Sequence, residues 1–124
     1  MMKALRGLGT IVAVIVALLH LGFLVLEMFL WTEPFGLSVF DMTPEEAEVS
    51  AVLAANQGLY NGFLAAGILW SLIRGLQEML YFFLACVIVA GIYGALSVSP
   101  TIFLVQALPA SVALVLLLAT RTAQ

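Results

Sequence analysis

The sequence predicts an all-α fold: an integral membrane protein built as an antiparallel bundle of four transmembrane helices. The 124-residue chain is 65% hydrophobic and only 9% charged, and its mean hydropathy of +1.22 lies far above the balance of soluble domains. Its apolar stretches are each near the ~20 residues that a helix needs to cross ~30 Å of hydrocarbon. We expect one domain over residues 1–124, with helices at approximately 8–31, 44–73, 79–98 and 101–120.

Several other classes of protein are excluded. Barrel strands do not fit, because the apolar runs lack a two-residue alternation and are about twice as long as a spanning strand requires. The N-terminal apolar run continues to Trp31 without a small-x-small cleavage site, so we expect an uncleaved signal anchor. The net charge of −3 leaves no basic stripe for a nucleic acid. The single cysteine, Cys86, has no partner for an internal disulfide.

The basic residues predict the orientation. With four spans, Lys3, Arg6, Arg74 and Arg121 all fall on one side of the membrane. The positive-inside rule then places the N- and C-termini in the cytoplasm, and we take a bacterial plasma membrane as the default location. The first loop carries acidic residues and no basic one, which agrees with a position on the outer side.

Two local signals concern helix geometry. Thr43, Pro44 and Glu46 have the spacing of a capping box with proline at the first helical position, so the second helix should begin near Pro44. Pro109 lies within the fourth predicted helix and should kink it, freeing a carbonyl near Val105.

Two ionisable residues lie within the first predicted helix. His20 and Glu27 are seven residues apart, which is close to two helical turns, so they share a face and lie about 10 Å apart along the axis. Ionisable side chains in a bilayer normally face the bundle interior or a water-filled cavity. We therefore expect both residues to face a neighbouring helix.

The second predicted helix has two contrasting faces. Its polar residues span about 140° of the helical wheel at 100° per residue; they are Asn56, Gln57, Tyr60 and Asn61. Small residues at a spacing suited to close helix packing form the opposite face; they are Ala54, Gly58, Gly62 and Ala65.

Depth suggests which polar groups meet. Counting from the outer surface at ~1.5 Å per residue, His20 is level with Asn61, and Glu27 is level with Asn56 and Gln57. Tyr93 of the third predicted helix and Gln106 of the fourth also fall in the outer half. The cytoplasmic halves have few polar groups. The pattern predicts a polar pocket that opens outward and is closed toward the cytoplasm.

Three stretches, "LEMFLWTEPFG", "VFDMT" and "AANQGLYNGFLAAGILW", resemble the signature segments of domain-of-unknown-function family 1304, which are small four-helix integral membrane proteins. The resemblance runs across most of the chain. It implies the same topology and a shared site, without an activity to carry over. The motif positions that it implies are Glu27, Trp31, Asn56, Gln57, Tyr60 and Asn61, with His20 at a further position associated with the family.

The first functional hypothesis is binding of a small lipophilic molecule, with hydrolysis or isomerisation by acid and base chemistry. Glu27 would be the general acid or base, His20 its proton partner, and Tyr60 a proton donor. The remaining candidates would bind the substrate; they are Asn56, Gln57, Asn61, Trp31, Tyr93 and Gln106. No cofactor motif is present, so we expect no cofactor. One histidine and one glutamate fall short of the three protein ligands of a catalytic zinc, so we expect no metal.

Two alternatives stay open. One is a small dimeric proton-coupled transporter. Alternating access needs a site near the midplane of the membrane, but Glu27 is expected near the outer surface and the cytoplasmic half of the bundle has few polar residues. The other is a structural or interaction protein in which the polar side chains only hold helices together, each such hydrogen bond being worth under ~2 kcal/mol. The expected partners are the lipid bilayer and a small lipophilic ligand, with a homodimer left open and no nucleic acid.

Overall fold

The computed structural model describes residues 1–121, and every regular element within them is helical. The all-α fold class is therefore confirmed. The elements are α1 (Met2–Phe29), α2 (Pro34–Phe40), α3 (Pro44–Arg74), α4 (Gln77–Ser97), a π-helical turn (Phe103–Ala107) and α5 (Leu108–Ala119).

Helices α1 and α4 are long and apolar enough to cross a membrane. The apolar helix formed by the π turn and α5, Phe103–Ala119, is shorter. Helix α3 has 31 residues, with Glu45 and Glu46 in its first turn and amide side chains in its middle. Length and hydropathy therefore support a membrane-associated helical protein.

The four long helical segments form a ring in which α1 packs against α3 and α5, and α4 packs against α3 and against the π turn with α5. Helix α3 runs opposite to α1, because Gly58 lies against Glu27 whereas Gly62 lies against Leu24. The same reversal relates α4 to the segment after it, where Gly91 meets Ala107 and Gly94 meets Ile102. This arrangement brings residues distant in sequence to the same level of the bundle.

The apolar core lies nearer the end of the bundle that holds the α3–α4 turn. Alanines dominate where helices approach closely, and larger aliphatic side chains fill the space between them. Its buried members are Ala13, Val16, Ala17, Ala65, Ile68, Leu80, Leu84, Val87, Ala110, Ala113 and Leu117. Among the described residues, Ser71 and Thr120 are the buried polar residues at that end, whereas His20 and Asn61 are buried toward the opposite end, which contains the candidate site.

The connection between α1 and α3 is more ordered than a simple loop, because Pro34–Phe40 forms the short helix α2. Proline is compatible with the first helical turn, and the helix ends where Asp41 adopts a left-handed conformation with φ of 51°. Gly36 allows this helix to lie against the end of α1, since an added Cβ would overlap the carbonyl oxygen of Leu30.

The predicted cap of α3 is confirmed. Thr43 Oγ1 accepts a hydrogen bond from the Glu46 amide at 3.2 Å, and Glu46 Oε2 accepts one from the Thr43 amide at 2.9 Å. Such a capping box satisfies backbone donors that would otherwise lack a partner at the helix start. Helix α3 ends at Gly75, whose φ of 66° suits glycine.

The distortion predicted near Pro109 takes the form of a π-helical turn. Residues Phe103–Ala107 are π-helical, and the Leu108 amide donates to the Phe103 carbonyl. A proline has no N–H to donate and its ring crowds the preceding turn, so the wider turn accommodates it. Helix α4 approaches this turn closely at Gly91, where an added Cβ would lie 2.6 Å from the Ala107 nitrogen. The turn thereby places Gln106 next to α1.

Candidate functional site

The site begins with a pair formed by Glu27 of α1 and Asn61 of α3. Asn61 Nδ2 donates to Glu27 Oε2 at 2.9 Å. Asn61 is buried, with 3% of its surface exposed, and Glu27 is half-buried. This hydrogen bond holds the Glu27 side chain against α3.

Gly58 makes the pair possible by letting the two helices approach. A Cβ added at Gly58 would lie 3.0 Å from Glu27 Cβ and 2.8 Å from Met28 Cγ. A Cβ at Gly62, one turn further, would lie 2.5 Å from Leu24 Cδ1. The small-residue face of α3 therefore makes a close helix contact, as the sequence predicted, but its partner is α1, which the predicted pairings had placed against the opposite, polar face; Ala54, Gly58 and Ala65 are buried.

Only one carboxylate oxygen of Glu27 has a partner within residues 1–121. In the same part of the chain, no fully buried side-chain nitrogen or oxygen lacks a hydrogen bond. The second oxygen of Glu27 therefore retains accessible surface. A half-buried carboxyl group with such an oxygen can accept a hydrogen bond or exchange a proton with a ligand.

His20 is the second polar group and is completely buried. Its Nδ1 lies 2.8 Å from the Val16 carbonyl oxygen. Because a carbonyl oxygen can only accept, this contact assigns the proton of a neutral ring to Nδ1 and leaves Nε2 as an acceptor. Gln106 Nε2 lies 3.5 Å from that acceptor, a long contact, and Phe23 meets the ring edge-on at 5.3 Å.

His20 and Glu27 lie two turns apart on α1, and each has its own partner. We expected His20 to meet Asn61 and Glu27 to meet Asn56 or Gln57. The structure corrects both pairings, since Glu27 contacts Asn61 and His20 contacts Gln106. The predicted pairings assumed that α1 and α3 begin at the same depth. An axial shift of about one helical turn between the two helices is enough to change the partners.

Three of the predicted polar residues of α3 do not join the pair. Asn56, Gln57 and Tyr60 lie on the exposed surface of the bundle, and 53% of Tyr60 is exposed. The reason is angular, because α1 covers the face centred on Gly58. At 100° per residue, Asn61 is about 60° from Gly58, whereas Asn56 and Tyr60 are about 160° away.

The two remaining aromatic candidates also lie apart from Glu27 and His20. Tyr93 of α4 is exposed over 73% of its surface. Trp31 follows α1, where its Nε1 donates to Ser50 Oγ at 3.0 Å and its ring lies 4.7 Å from that of Phe40. Trp31 thus ties α2 to the start of α3. Sequence reasoning missed this role of Ser50, for which the sequence carries no distinctive signal.

Two features bear on what the site can hold. Within the described range, no three His, Cys, Asp or Glu side chains come together as a metal site would require. An apolar groove with a volume of about 420 Å³ follows α1, and Phe23, Leu26 and Leu30 line part of it, as does Phe35 of α2, whereas neither Glu27 nor His20 is among its lining residues. Phe23 therefore contacts both the groove and the His20 ring.

Comparison with known proteins identifies the family. The family model described as "Protein of unknown function (DUF1304)" matches residues 14–118. The chain is 32% identical over 103 residues to "Uncharacterized protein YpaA" of Lactococcus lactis subsp. lactis (strain IL1403), an alignment that covers 80% of this chain and 87% of the relative. No solved structure matches the chain. The chain belongs to the DUF1304 family, as its "NQGLYNGFLA" segment predicted.

Proposed function

We propose that the chain is an integral membrane protein that crosses the bilayer four times, through α1, α3, α4 and the segment Phe103–Ala119, with both termini in the cytoplasm of a bacterial cell. The hydropathy of α1 and α4 supports this, as does the packing of the other two segments alongside them. The basic residues support the orientation, because they all lie at one end of the bundle. Lys3 and Arg6 are at the start of α1, Arg74 is at the end of α3, and Arg121 follows α5.

We further propose that the outer half of this bundle binds a small, mostly apolar molecule that carries a hydrogen-bonding group. The observation that carries this proposal is the half-buried Glu27 carboxyl group, which is held by Asn61 through one oxygen and retains a second oxygen that has no partner among residues 1–121. The apolar groove beside Phe23 would receive the rest of the molecule. Ligand sites commonly combine an apolar lining with a few placed polar groups.

The chemistry that suits this site is acid and base catalysis on the bound molecule, such as hydrolysis or isomerisation. Glu27 would exchange the proton, because it has the free oxygen. His20 would act indirectly, since no hydrogen bond joins it to Glu27 in the described chain and the two are about 10 Å apart along α1. Its Nδ1–H is engaged by Val16, which leaves Nε2 as the atom that could accept a proton.

A lipophilic carbodiimide tests whether the Glu27 carboxyl can be reached from the hydrocarbon. We expect treatment of the full chain in lipid nanodiscs to give one adduct, which tandem mass spectrometry locates on Glu27. Glu27→Gln should abolish the adduct. The exposed glutamates of the first turn of α3 provide an internal control, because a water-soluble carbodiimide should label them instead.

The result that would contradict the proposal is an unlabelled Glu27 in protein whose exposed glutamates react with the water-soluble reagent. That outcome would mean that Glu27 is enclosed, and that its contact with Asn61 serves helix packing alone. If Glu27 is labelled as expected, small molecules that copurify with the wild type and are absent from Glu27→Gln would identify the class of ligand.

A role in association with a second copy is the other candidate function, and the exposed face of α3 favours it. Asn56, Gln57 and Tyr60 lie there among exposed apolar residues. Amide groups that face lipid lack hydrogen-bond partners, whereas a second copy could supply amides that both donate and accept.

Cysteine cross-linking in native membranes tests this association. With Cys86 replaced by alanine, Gln57→Cys should form a disulfide-linked dimer. Val25→Cys should not, although Val25 is exposed at a similar level on α1. Equal cross-linking at both positions would indicate random collision, and no cross-linking at position 57 would exclude this face as the dimer contact.

A further inference from the structure

A second cleft lies at the opposite end of the bundle from Glu27. It has a volume of about 170 Å³ and lies between the first turns of α1 and the turn that joins α3 to α4, with Leu117 of α5 as one wall. Its polar lining residues are Arg6, Thr10, Ser71, Gln77 and Tyr81. The site proposed above uses none of these residues.

The hydrogen bonds around this cleft leave donors facing it. Thr10 donates to the Arg6 carbonyl at 3.0 Å and Ser71 to the Gly67 carbonyl at 2.6 Å, so the protons of both hydroxyls are engaged within their own helices. Tyr81 donates to Gln77 Oε1 at 3.3 Å. The Gln77 amide group and the Arg6 guanidinium remain as donors, and a guanidinium matches the oxygens of a phosphate or carboxylate.

The surrounding charge is positive. The acidic side chain closest in sequence to the cleft, Glu78, forms an ion pair with Arg121, and the Arg74 guanidinium lies over the Trp70 ring at 5.4 Å. Arg6 forms no ion pair with any residue of the described chain. The cleft therefore offers an arginine whose charge is not neutralised by a neighbouring carboxylate.

We propose that this cleft binds the phosphate group of an anionic membrane lipid. Arg6 and the Gln77 amide would contact the phosphate oxygens, and Leu72, Leu76 and Leu80 in the cleft wall would contact the apolar part of the lipid. The inference uses the orientation proposed above, which places this end at the cytoplasmic leaflet, where anionic lipids attract basic residues. It does not depend on any ligand beside Glu27.

Thermal unfolding of the full chain in detergent tests the proposal, because a ligand that binds the folded state raises its stability. Three probes are compared: a short-chain phosphatidylglycerol, a short-chain phosphatidylcholine and inorganic phosphate. We expect the phosphatidylglycerol to raise the Tm the most. Arg6→Gln should weaken its apparent affinity about tenfold, the loss expected for one charge-assisted contact. Arg74→Gln is the matched control and should leave the affinity unchanged.

Each of the following outcomes would overturn the proposal. If Arg6→Gln and Arg74→Gln weaken the affinity for phosphatidylglycerol equally, the lipid is attracted by the overall positive charge of the surface and not by this cleft. An equal effect of phosphatidylcholine would show that charge is not recognised, and an equal effect of inorganic phosphate would make the free ion the ligand. If Arg6→Gln does not fold, Gln77→Glu decides, because its carboxylate can still accept from Tyr81 and should repel the phosphate; unchanged lipid affinity in that variant would overturn the site.

Discussion

Replacement of Gly58 by leucine is expected to separate α1 from α3 and to lower the free energy of unfolding by about 3 kcal/mol, at the upper end of what overpacking usually costs. Even a Cβ at this position would lie 2.8 Å from Met28 Cγ and 3.0 Å from Glu27 Cβ, and 3.2 Å from the Leu24 carbonyl oxygen. Met28 could move, but the backbone of α1 could not without a shift of the whole helix.

The control for this prediction is Gly22→Leu, the same substitution in the middle of α1. Nothing lies within 4 Å of a Cβ added at Gly22, so that variant should be as stable as the wild type or slightly more stable, because leucine favours helix more than glycine does. Urea unfolding in mixed micelles compares the two. A Gly58→Leu variant as stable as Gly22→Leu would show that α1 and α3 do not pack through this glycine.

Replacement of Asn61 by leucine is the second change with a large expected effect. It removes the donor of the 2.9 Å hydrogen bond and leaves the half-buried Glu27 carboxylate against an apolar surface. We expect the free energy of unfolding to fall by about 1–3 kcal/mol. The lower value is typical of hydrogen bonds between membrane helices, and the upper value is typical of hydrogen bonds to charged groups.

Asn56→Leu is the matched control, because it makes the same chemical change on the exposed face of the same helix. Surface substitutions away from special contacts usually alter stability by less than about 0.5 kcal/mol. The two variants are compared as monomers in dilute detergent, so that any contact between copies does not contribute. If the free energy of unfolding falls equally in both variants, the hydrogen bond between Asn61 and Glu27 does not stabilise the fold.

The helices were predictable from the sequence because their signals are local. A run of apolar residues predicts α1, and the spacing of Thr43 and Glu46 predicts the start of α3. The short helix α2 was missed, since "EPFG" reads equally well as a turn. Its formation depends on a contact between Gly36 and the end of α1 that only the folded chain provides.

The partners within the candidate site were harder to predict, because they depend on how helices rotate and slide against one another. Periodicity gives the angles between Asn56 and Asn61 on one helix, but not which part of a wide polar arc faces α1. The sequence did contain a usable signal. Asn61 lies three residues after Gly58 and four before Ala65, so it borders the small-residue face that packs against α1.

The contact between His20 and Gln106 depends on the π-helical turn. Pro109 predicted a distortion, and an i−4 argument placed a free carbonyl near Val105. The chain instead widens over Phe103–Ala107, and Gln106 lies within this wider turn. The proline in the sequence indicates that such a distortion will occur, but the close contact between the turn and Gly91 of α4 is seen only in the folded chain.

The central claim is that Glu27 and Asn61 bind each other inside the helix bundle, and a double-mutant cycle tests it most directly. The free energies of unfolding of the wild type, Glu27→Leu, Asn61→Leu and the double variant are measured under the same conditions. We predict a coupling energy of about 1–2 kcal/mol, with the second substitution costing much less once the first is present. Additive effects, within about 0.5 kcal/mol, would show that the two side chains do not interact and would contradict the account.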